Sequence, residues 1–482
     1  MPHLSRRHFI KGSALLVGAY ATHRSFGTDL NSEIRIAVVG LHWRGGQLIE
    51  DVMRTKGARL VALCDVDSAE LTKAAAEVKS KHGITVAQVS EFRTLLERPD
   101  IDAVAIATPN HWHALQAIWA LQAGKDVYLE KPVCHTLWEG RQIIRAASKY
   151  NKIVQAGLQN RSDIGLKEAF AYIQEGNLGA IKQVRGLCYK NRASIGKRST
   201  PLTPPSSLNY DLWLGPAADQ PLFRERIHYD WHWDWNTGNG DLGNQGVHEL
   251  DLVRWVLGEP DHPTAVSSMG RRFAWHDAGQ TPNMQICKLH WPDRDVIFEV
   301  NNLWMNPETD AASHYKGHRI GVIVTCEGGE FRGGRGGGIV YDENNKKRER
   351  FKGDGGYDHF PSFIRAINSR QQSDLAAPLE QSFKSTALSQ LCNLSYQTGK
   401  SLPQKRVENY VADDTNLAAT YQRFAQHLDK WKIDLESERW VVGSALEFDP
   451  ATERFNGGPG HKQANAQLRR NYRKGYVVPE IV

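Results

Sequence analysis

A lysine at the end of an apolar run is the first candidate for chemistry in this chain. Glu130-Lys131-Pro132 follows the run Lys125-Asp126-Val127-Tyr128-Leu129, about 90 residues after a glycine turn. Proline disfavours helical geometry in the residue before it, so Lys131 is expected to be extended. Removing a hydroxyl proton while hydride leaves carbon needs a base near neutral pKa, and a desolvated lysine or a histidine can supply one. Lys131 and His248 are the candidates.

The glycine turn Gly40-Leu41-His42-Trp43-Arg44-Gly45 closes an apolar strand and opens a helix. A dinucleotide fingerprint has three glycines here, and His42 occupies the second position. Backbone N–H groups at the helix N-terminus could still hold a pyrophosphate, with Arg44 adding charge. Asp65 ends the second strand 25 residues after Gly40. An acid there bonds the adenosine ribose and repels a 2′-phosphate, which favours NAD over NADP and leaves tight binding open. A strand–turn–helix without nucleotide is the alternative.

Short apolar strands alternate with amphipathic helices from Glu33 to Ala156, and this alternation predicts a doubly wound parallel sheet. Thr108-Pro109-Asn110-His111 and Glu130-Lys131-Pro132 each follow a strand, so both should line one crevice at the carboxyl edge. The predicted strands are 34–39, 60–64, 103–107, 125–129 and 153–156, and the predicted helices are 45–55, 68–82, 113–123 and 136–150.

Longer strand-like runs mixed with glycine and proline loops follow Gln159 and predict a second, α+β domain with a mostly antiparallel open sheet. We place this domain at 157–402. Gly328 to Gly338 is glycine-dense, and Asp342 to Arg350 is charged and predicted to be a solvated hairpin or loop. Residues 403–482 are polar, show no clear core of their own, and are expected to lie over the main body. The predicted strands are 184–189, 265–269, 284–290, 296–301 and 320–325.

Net charge and cysteine spacing argue against a nucleic-acid partner and against disulfides or cysteine metal ligands. The chain has 482 residues and a net charge of +6, and its basic residues are scattered, which argues against a nucleic-acid partner. The six cysteines are widely spaced and form no CxxC pair, so buried thiols are expected rather than disulfides or metal ligands.

The N-terminus predicts export. Ser5-Arg6-Arg7-His8-Phe9-Ile10-Lys11 resembles a twin-arginine motif and precedes an apolar stretch, Gly12 to Ala21, too short for a permanent membrane span. We expect a signal peptide over 1–27, a periplasmic or otherwise exported protein, and no membrane association after export. A chance Arg-Arg pair before an apolar stretch is the alternative.

Taken together, these motifs resemble the glucose-fructose oxidoreductase/inositol dehydrogenase (Gfo/Idh/MocA) family. The resemblance runs from about Glu33 to Leu402 and includes Cys64-Asp65-Val66-Asp67, Ala107 to His113, the Glu-Lys-Pro motif and Gly238 to Asp251. It implies a Rossmann domain over 33–156 that binds NAD, and a likeness to exported members from sugar-degrading bacteria. It also implies that the antiparallel sheet pairs copies into a homo-oligomer.

The resemblance also implies roles for individual residues. Lys131 would lie beside the nicotinamide and the reacting carbon, and His248 would be its partner base. The family's Asp-x-x-x-His motif has Asn244 in place of the aspartate, and an amide cannot stabilise an imidazolium as a carboxylate does. Asp251, three residues beyond His248, could partly substitute. The expected cofactor contacts are Gly40, His42, Trp43, Arg44, Gly45, Asp65, Thr108, Asn110, His113, Glu130, Lys131 and Gln159.

Aromatic residues before the His248 motif suggest a carbohydrate site. Trp231, Trp233 and Trp235 alternate with Asp230, His232 and Asp234, so an extended segment would present two faces, one of which could stack on a sugar. Packing of these tryptophans in the core is an equal alternative. Zinc bound by His228, Asp230, His232 and Asp234 is conceivable, but no metal is expected. The expected substrate contacts are Arg161, Arg192, Trp213, Trp231, Trp233, Trp235 and Asp251, with Lys190 a further candidate.

Three functions fit these observations. The first is an exported NAD-dependent oxidoreductase that oxidises a sugar, polyol or glycoside hydroxyl. The second is a redox-neutral enzyme that keeps its NAD and cleaves, epimerises or interconverts a sugar after transient oxidation. The third is a sugar-binding protein without catalysis.

Overall fold

The computed structural model of the protein describes residues 33–482, and the predicted signal segment 1–27 lies outside the described residues. Within the described part, no helix combines the length and the apolar character that a membrane crossing requires.

The N-terminal half is built on a six-stranded parallel sheet in the order β3-β2-β1-β4-β5-β6, as predicted for a doubly wound fold. Its central strands are buried on both faces, which explains why they read as continuous apolar runs. The predicted segments missed β3 and the short helix after it. The strands are β1 Ile34–Val39, β2 Ala58–Cys64, β3 Ala87–Val89, β4 Ala103–Ile106, β5 Asp126–Leu129 and β6 Val154–Ala156.

Helices connect these strands, and side-chain caps fix where several of them begin. The Asp67 side chain accepts the N–H of Ala69 at the start of α2, and Thr136 with Glu139 forms a capping box at the start of α5. The helices are α1 Arg44–Arg54, α2 Ser68–His82, α3 Phe92–Leu96, α4 Asn110–Gln122 and α5 Leu137–Lys149. A 3-10 turn, Gln159–Ser162, leads into the second half.

The second half is built on a twelve-stranded sheet, mostly antiparallel as predicted, in which β7 and β10 pair in parallel. Its main path runs β14-β13-β12-β11-β7-β10-β9-β8-β16-β15, and β17 pairs with β8 and β18. The strands are β7 Ile181–Cys188, β8 Ala265–Arg271, β9 Met284–Trp291, β10 Arg294–Asn301, β11 Ile320–Cys326, β12 Gly329–Gly334, β13 Gly337–Tyr341, β14 Lys347–Lys352, β15 Lys400–Ser401, β16 Val441–Val442, β17 Leu446–Asp449 and β18 Arg454–Gly457.

The helices of the second half do not all stay on its sheet. Phe360, Phe363 and Ile364 of α11 pack into the core of the first sheet, so the chain returns to the N-terminal domain after β14. The helices are α6 Ile164–Gln174, α7 Tyr210–Leu214, α8 Ile227–Asp230, α9 Gly240–Asn244, α10 Gly246–Val256, α11 His359–Ser369, α12 Leu379–Gln397, α13 Gln404–Val411, α14 Thr415–Lys430 and α15 His461–Ala466.

The C-terminal residues pack against the sheet and share a core with it. Leu417, Tyr421, Phe424 and Leu428 of α14 form one apolar cluster with sheet residues such as Ile297. Part of the antiparallel sheet is therefore covered by the chain's own helices. The homo-oligomer stays a prediction.

The glycine-dense stretch forms β12 and β13. The charged stretch that follows belongs to the exposed hairpin completed by β14, which agrees with the predicted solvated hairpin or loop. Glycines suit this hairpin because Phe331 lies where a side chain at Gly333 or Gly338 would stand. The six cysteines are buried and unpaired, as expected.

Candidate functional site

One cavity of about 580 Å³ lies at the carboxyl ends of β1, β4 and β5 and extends to the second sheet domain. It is lined by the glycine turn, the residues after β4, the Glu-Lys-Pro motif and the N-terminal part of α10. These are the segments that the sequence analysis placed at one edge of the sheet. The predicted cofactor residues that line it are Gly40, His42, Trp43, Arg44, Asp65, Thr108, Asn110, His113, Glu130, Lys131 and Gln159.

The glycine turn has the close packing that a dinucleotide turn needs. Gly40 has φ +77°, and a Cβ there would lie 2.8 Å from the backbone nitrogen of Thr108. Gly45 does not line the cavity; a Cβ on it would lie 1.9 Å from the Gly40 carbonyl oxygen, so its role is to let α1 pack against the turn. The side chain of His42 leaves this turn, stacking on His228 and lying 3.5 Å from Glu70. The side chain of His42, which replaces the second glycine of the fingerprint, therefore does not fill the turn.

Arg44 lines the cavity, and its guanidinium is held by hydrogen bonds to neighbouring side chains. Its Nε donates to Glu130 Oε1 at 2.7 Å, and its Nη1 donates to Gln47. Gln159 Nε2 donates to the same Glu130 oxygen at 3.1 Å. Burial acts to raise the pKa of Glu130, but the charges of Arg44 and Lys131 outweigh burial and lower it. Glu130 is thus an ionised carboxylate that anchors the floor of the cavity.

Asp65 lines the cavity and organises the glycine turn. Its carboxylate accepts the N–H of Leu41 at 2.8 Å and the N–H of Asp67 at 2.9 Å. Burial raises the pKa of Asp65, and these two N–H donors act against that rise. The two donors leave lone pairs on both oxygens for a ligand.

A segment of the second domain closes over this part of the first. Ser68 N–H donates to Ser207 O at 2.9 Å, and Asn209 N–H donates to Val66 O at 3.0 Å. His228 Nε2 lies 2.9 Å from Asp67 Oδ2. We call residues 207–232 the strap, because they tie the end of β2 to the substrate side of the cavity.

The residues after β4 fix the loop that carries Lys131. His113 Nδ1 lies 2.7 Å from Pro132 O and its Nε2 lies 2.8 Å from Thr108 O, so the ring bridges two strand ends. Burial lowers the pKa of His113. Asn110 Nδ2 donates to Asn239 Oδ1 at 2.9 Å, which links the first domain to the turn before α9.

Lys131 is directed toward the second domain. Its Nζ donates to Asn244 O at 2.9 Å and to Asn244 Oδ1 at 3.3 Å. Burial lowers the pKa of Lys131 to about 8, against the opposing charge of Glu130. Asn244 Nδ2 donates to Asp241 Oδ1, so the amide joins the lysine to a carboxylate. Asn244, which replaces the aspartate of the family's motif, thus positions Lys131.

His248 lines the same cavity from α10. Burial lowers its pKa well below the usual value, and the positive charge of Lys131 lowers it further, so the ring is neutral at neutral pH. Its Nδ1 is buried and has no hydrogen-bond partner among the described residues. A neutral imidazole with an unpartnered nitrogen is able to accept a proton from a ligand.

Three of the predicted substrate residues line the cavity: Arg192, Trp213 and Trp231. Arg192 pairs with Asp241 through two hydrogen bonds and donates to the hydroxyl of Tyr229 at 2.8 Å. The carboxylate of Asp241 raises the pKa of this guanidinium although burial acts to lower it.

Four predicted substrate residues do not line it. Arg161 is buried and donates to both carboxylate oxygens of Asp251, which also accepts from Ser385, so this pair belongs to the core and Asp251 cannot assist His248. Trp233 is buried beneath Arg192, 5.4 Å from its guanidinium carbon. The Trp235 ring lies near Tyr396, outside the cavity lining.

The segment with alternating tryptophans is helical rather than extended, because it forms α8 and the 3-10 turn Trp231–Trp233. The side chains considered for zinc have separate partners: His228 bonds Asp67, Asp230 pairs with Arg226, Asp234 pairs with Arg224 and His232 bonds Tyr229 O. Within residues 33–482, no three histidine, cysteine or acidic side chains are grouped so as to hold a metal ion.

Sequence reasoning missed several polar residues of the cavity. Glu249, Gln245 and Tyr229 line it, and Lys190, which was only a candidate contact, lines it as well. The signal for Glu249 was its place directly after His248 on a helix that carries other functional residues.

Comparison with known proteins identifies the two halves. The model of an oxidoreductase family with an NAD-binding Rossmann fold matches residues 34–158, and the model of that family's C-terminal alpha/beta domain matches residues 175–278. Levoglucosan dehydrogenase of Pseudarthrobacter phenanthrenivorans is 30% identical over 179 residues, which are 37% of this chain and 39% of that protein. Alpha-N-acetylgalactosaminidase of Shewanella oneidensis is 28% identical over 177 residues, 32% of this chain and 39% of that protein. The chain thus spans about two fifths of these curated relatives.

Solved structures share the fold. The WlbA dehydrogenase of Bordetella pertussis, solved with NADH and UDP-GlcNAcA, superposes with a TM-score of 0.54 at 19% identity over 75% of this chain and 95% of that one. The scyllo-inositol dehydrogenase of Lactobacillus casei superposes with a TM-score of 0.52 at 18% identity over 75% of this chain and 95% of that one. At these identities the likeness concerns the fold.

Proposed function

Since the chain belongs to the Gfo/Idh/MocA oxidoreductases, whose first domain is an NAD-binding Rossmann fold, we propose that it oxidises a hydroxyl group of a sugar, polyol or glycoside. The observation that carries this proposal is that Lys131 and His248 line one cavity together with the dinucleotide turn and Asp65. Bound NAD would supply a hydride acceptor at that cavity. The residues that would hold NAD are Gly40, Asp65, Thr108 and Asn110.

The chain's own residues supply the proton chemistry. Lys131, with a pKa of about 8, can take the hydroxyl proton in its neutral form and return it as an ammonium. Asn244 keeps the ammonium directed toward the substrate side. His248 is neutral, and its buried Nδ1 has no hydrogen-bond partner among the described residues. Arg192 and Trp231 lie where polar and stacking contacts with a sugar would form.

The second candidate is redox-neutral turnover with a retained NAD, giving glycoside cleavage, epimerisation or aldose–ketose oxidoreduction. The strap favours it, because its hydrogen bonds to Val66, Asp67 and Ser68 close the adenosine side of the cavity. The curated relatives also favour it, since they include an alpha-N-acetylgalactosaminidase as well as a dehydrogenase. The predicted twin-arginine leader supports the proposal that the protein is exported after it has folded and that it carries its own cofactor.

A single experiment separates these candidates. The purified protein is loaded with NAD, freed of excess nucleotide and mixed with a panel of sugars, polyols and glycosides that includes levoglucosan. Net oxidation predicts one equivalent of NADH per chain and then a stall. Redox-neutral turnover predicts product formation with no lasting change in absorbance. Absence of both would favour a non-catalytic sugar-binding protein.

A further inference from the structure

The cavity contains a buried carboxyl group that the oxidation of a hydroxyl does not use. Glu249 follows His248 in α10, is 2% exposed and lines the same cavity. Its Oε2 is buried and has no hydrogen-bond partner within the described chain. An unpartnered buried carboxylate is costly, so this oxygen needs either a proton or a ligand.

A short hydrogen-bond relay determines which oxygen carries that proton. Lys190 Nζ donates to Gln245 Oε1 at 2.9 Å, and Gln245 Nε2 donates to Glu249 Oε1 at 3.1 Å. An ammonium group only donates, so it fixes the amide with its oxygen toward Lys190 and its NH2 toward Glu249. Oε1 is therefore an acceptor, and the proton of the neutral acid lies on Oε2.

The groups around Glu249 agree with a neutral acid. Burial raises the pKa of Glu249 to about 8, and the negative charge of Asp241 adds to this rise. The Gln245 hydrogen bond and the charge of Lys190 act in the opposite direction without cancelling it. The nearby thiol of Cys188 has its own pKa raised by burial and stays uncharged. At pH 7 the carboxyl group is therefore mostly protonated.

We propose that Glu249 is a second catalytic group of this cavity: the acid that protonates the departing oxygen when a C–O bond of the sugar is cleaved. This inference rests on the proposed function in its redox-neutral form. It assigns the substrate class as glycosides, since a plain alcohol oxidation has no departing oxygen to protonate.

The step balances as an elimination. Oxidation of a ring hydroxyl, with NAD as the oxidant, creates a carbonyl that acidifies the neighbouring C–H bond. That bond breaks, its proton goes to His248 Nδ1, and its electron pair forms a C=C bond. The C–O bond on the next carbon breaks, the oxygen keeps the electron pair, and it takes the proton from Glu249 Oε2. Addition of water and return of the hydride complete a hydrolysis with no net redox change.

The test compares leaving groups in Glu249→Gln, which keeps the side-chain shape but has no acidic proton. A methyl glycoside needs protonation of its leaving oxygen and a 4-nitrophenyl glycoside does not. General acids contribute roughly 100- to 10,000-fold, so we expect about that loss for the methyl glycoside and less than about tenfold for the nitrophenyl glycoside. The matched control is Glu139→Gln, a fully buried carboxyl with a raised pKa that caps α5 outside the cavity.

The outcomes separate this inference from the proposed function. Equal losses for both glycosides, or an equal loss in the first reduction of NAD, would overturn the role of Glu249. Wild-type protein that reduces NAD but cleaves neither glycoside would also overturn it and would leave the oxidoreductase proposal intact. Wild-type protein that neither reduces NAD nor cleaves a glycoside would remove the proposed function itself.

A spectroscopic measurement tests the acid without turnover. The infrared difference between wild type and Glu249→Gln should contain a protonated carboxyl band at pH 7 that is lost as the pH rises through about 8. The same titration predicts that methyl glycoside cleavage by the wild type declines above that pH. The difference between wild-type spectra below and above pH 8 should contain the same band, and its absence there would contradict the inference even if the variant failed to fold.

Discussion

Replacing Lys131 should show whether the side chain acts as a base or only supplies a positive charge. Lys131→Met keeps an unbranched side chain and removes the amine, whereas Lys131→Arg keeps a charge that does not titrate in the accessible range. Because hydride transfer from an alcohol needs the hydroxyl proton removed, both variants should lose the reaction. The expected loss in Lys131→Met is roughly 100- to 10,000-fold, the range for a positioned general base.

The size of the pH effect follows from the burial of Lys131. With a pKa of about 8, about a tenth of the chains carry a neutral amine at pH 7, against roughly one in three thousand for an ordinary lysine. The rate of hydride transfer should therefore rise about tenfold per pH unit below 8 and level off above it.

The assay is the single-turnover reduction of bound NAD by an excess of the best sugar of the panel, followed by absorbance from pH 6 to pH 9. The rate must still rise with pH in Glu249→Gln. Glu249 also has a pKa of about 8, so its titration would otherwise be an alternative cause of that rise. Lys125→Met is the matched control: Lys125 is a buried lysine at the opposite end of β5, with a pKa also lowered by burial. A pH rise that persists in Lys131→Met, or that disappears in Glu249→Gln, would refute the assignment.

Three further changes test other parts of the site. Asp65→Asn should raise the ratio of NADP affinity to NAD affinity in calorimetry, and an unchanged ratio would contradict the ribose assignment. The affinities for both nucleotides should fall, because one of the two backbone donors to Asp65 loses its acceptor at a cost of about 1–3 kcal/mol. Arg161→Met should lower the free energy of unfolding in urea by about 3–5 kcal/mol by leaving Asp251 buried without its partner, and a rise in sugar KM without loss of stability would restore the original substrate assignment. His228→Ala should speed the release of NAD on dialysis by weakening the strap, and unchanged retention would argue against the strap as a closure.

Much of the first domain could be predicted because buried parallel strands leave a simple pattern. The bounds of β1 and α2 agree residue for residue with the predicted segments, since the Asp67 cap and Gly83 mark where α2 begins and ends. The place of Lys131 in the cavity could also be predicted, because parallel strands end at a common side of the sheet.

The errors come from contacts between residues distant in the chain. Alternation in 230–235 suggested an extended segment with two faces, but the pair Arg226–Asp230 spans one helical turn and supports α8. Nothing in the sequence near Asp251 shows that the partner of this carboxylate is Arg161, which lies in another element. The core of α14 was predictable, since Leu417, Tyr421 and Phe424 follow helical spacing and form one face.

Native mass spectrometry of the purified protein tests the central claim most directly, namely that this cavity holds NAD beside Lys131 and His248. The account predicts one NAD per chain, retained without added nucleotide and converted to NADH by an oxidisable sugar. A folded protein that takes up no dinucleotide even from excess NAD would contradict it.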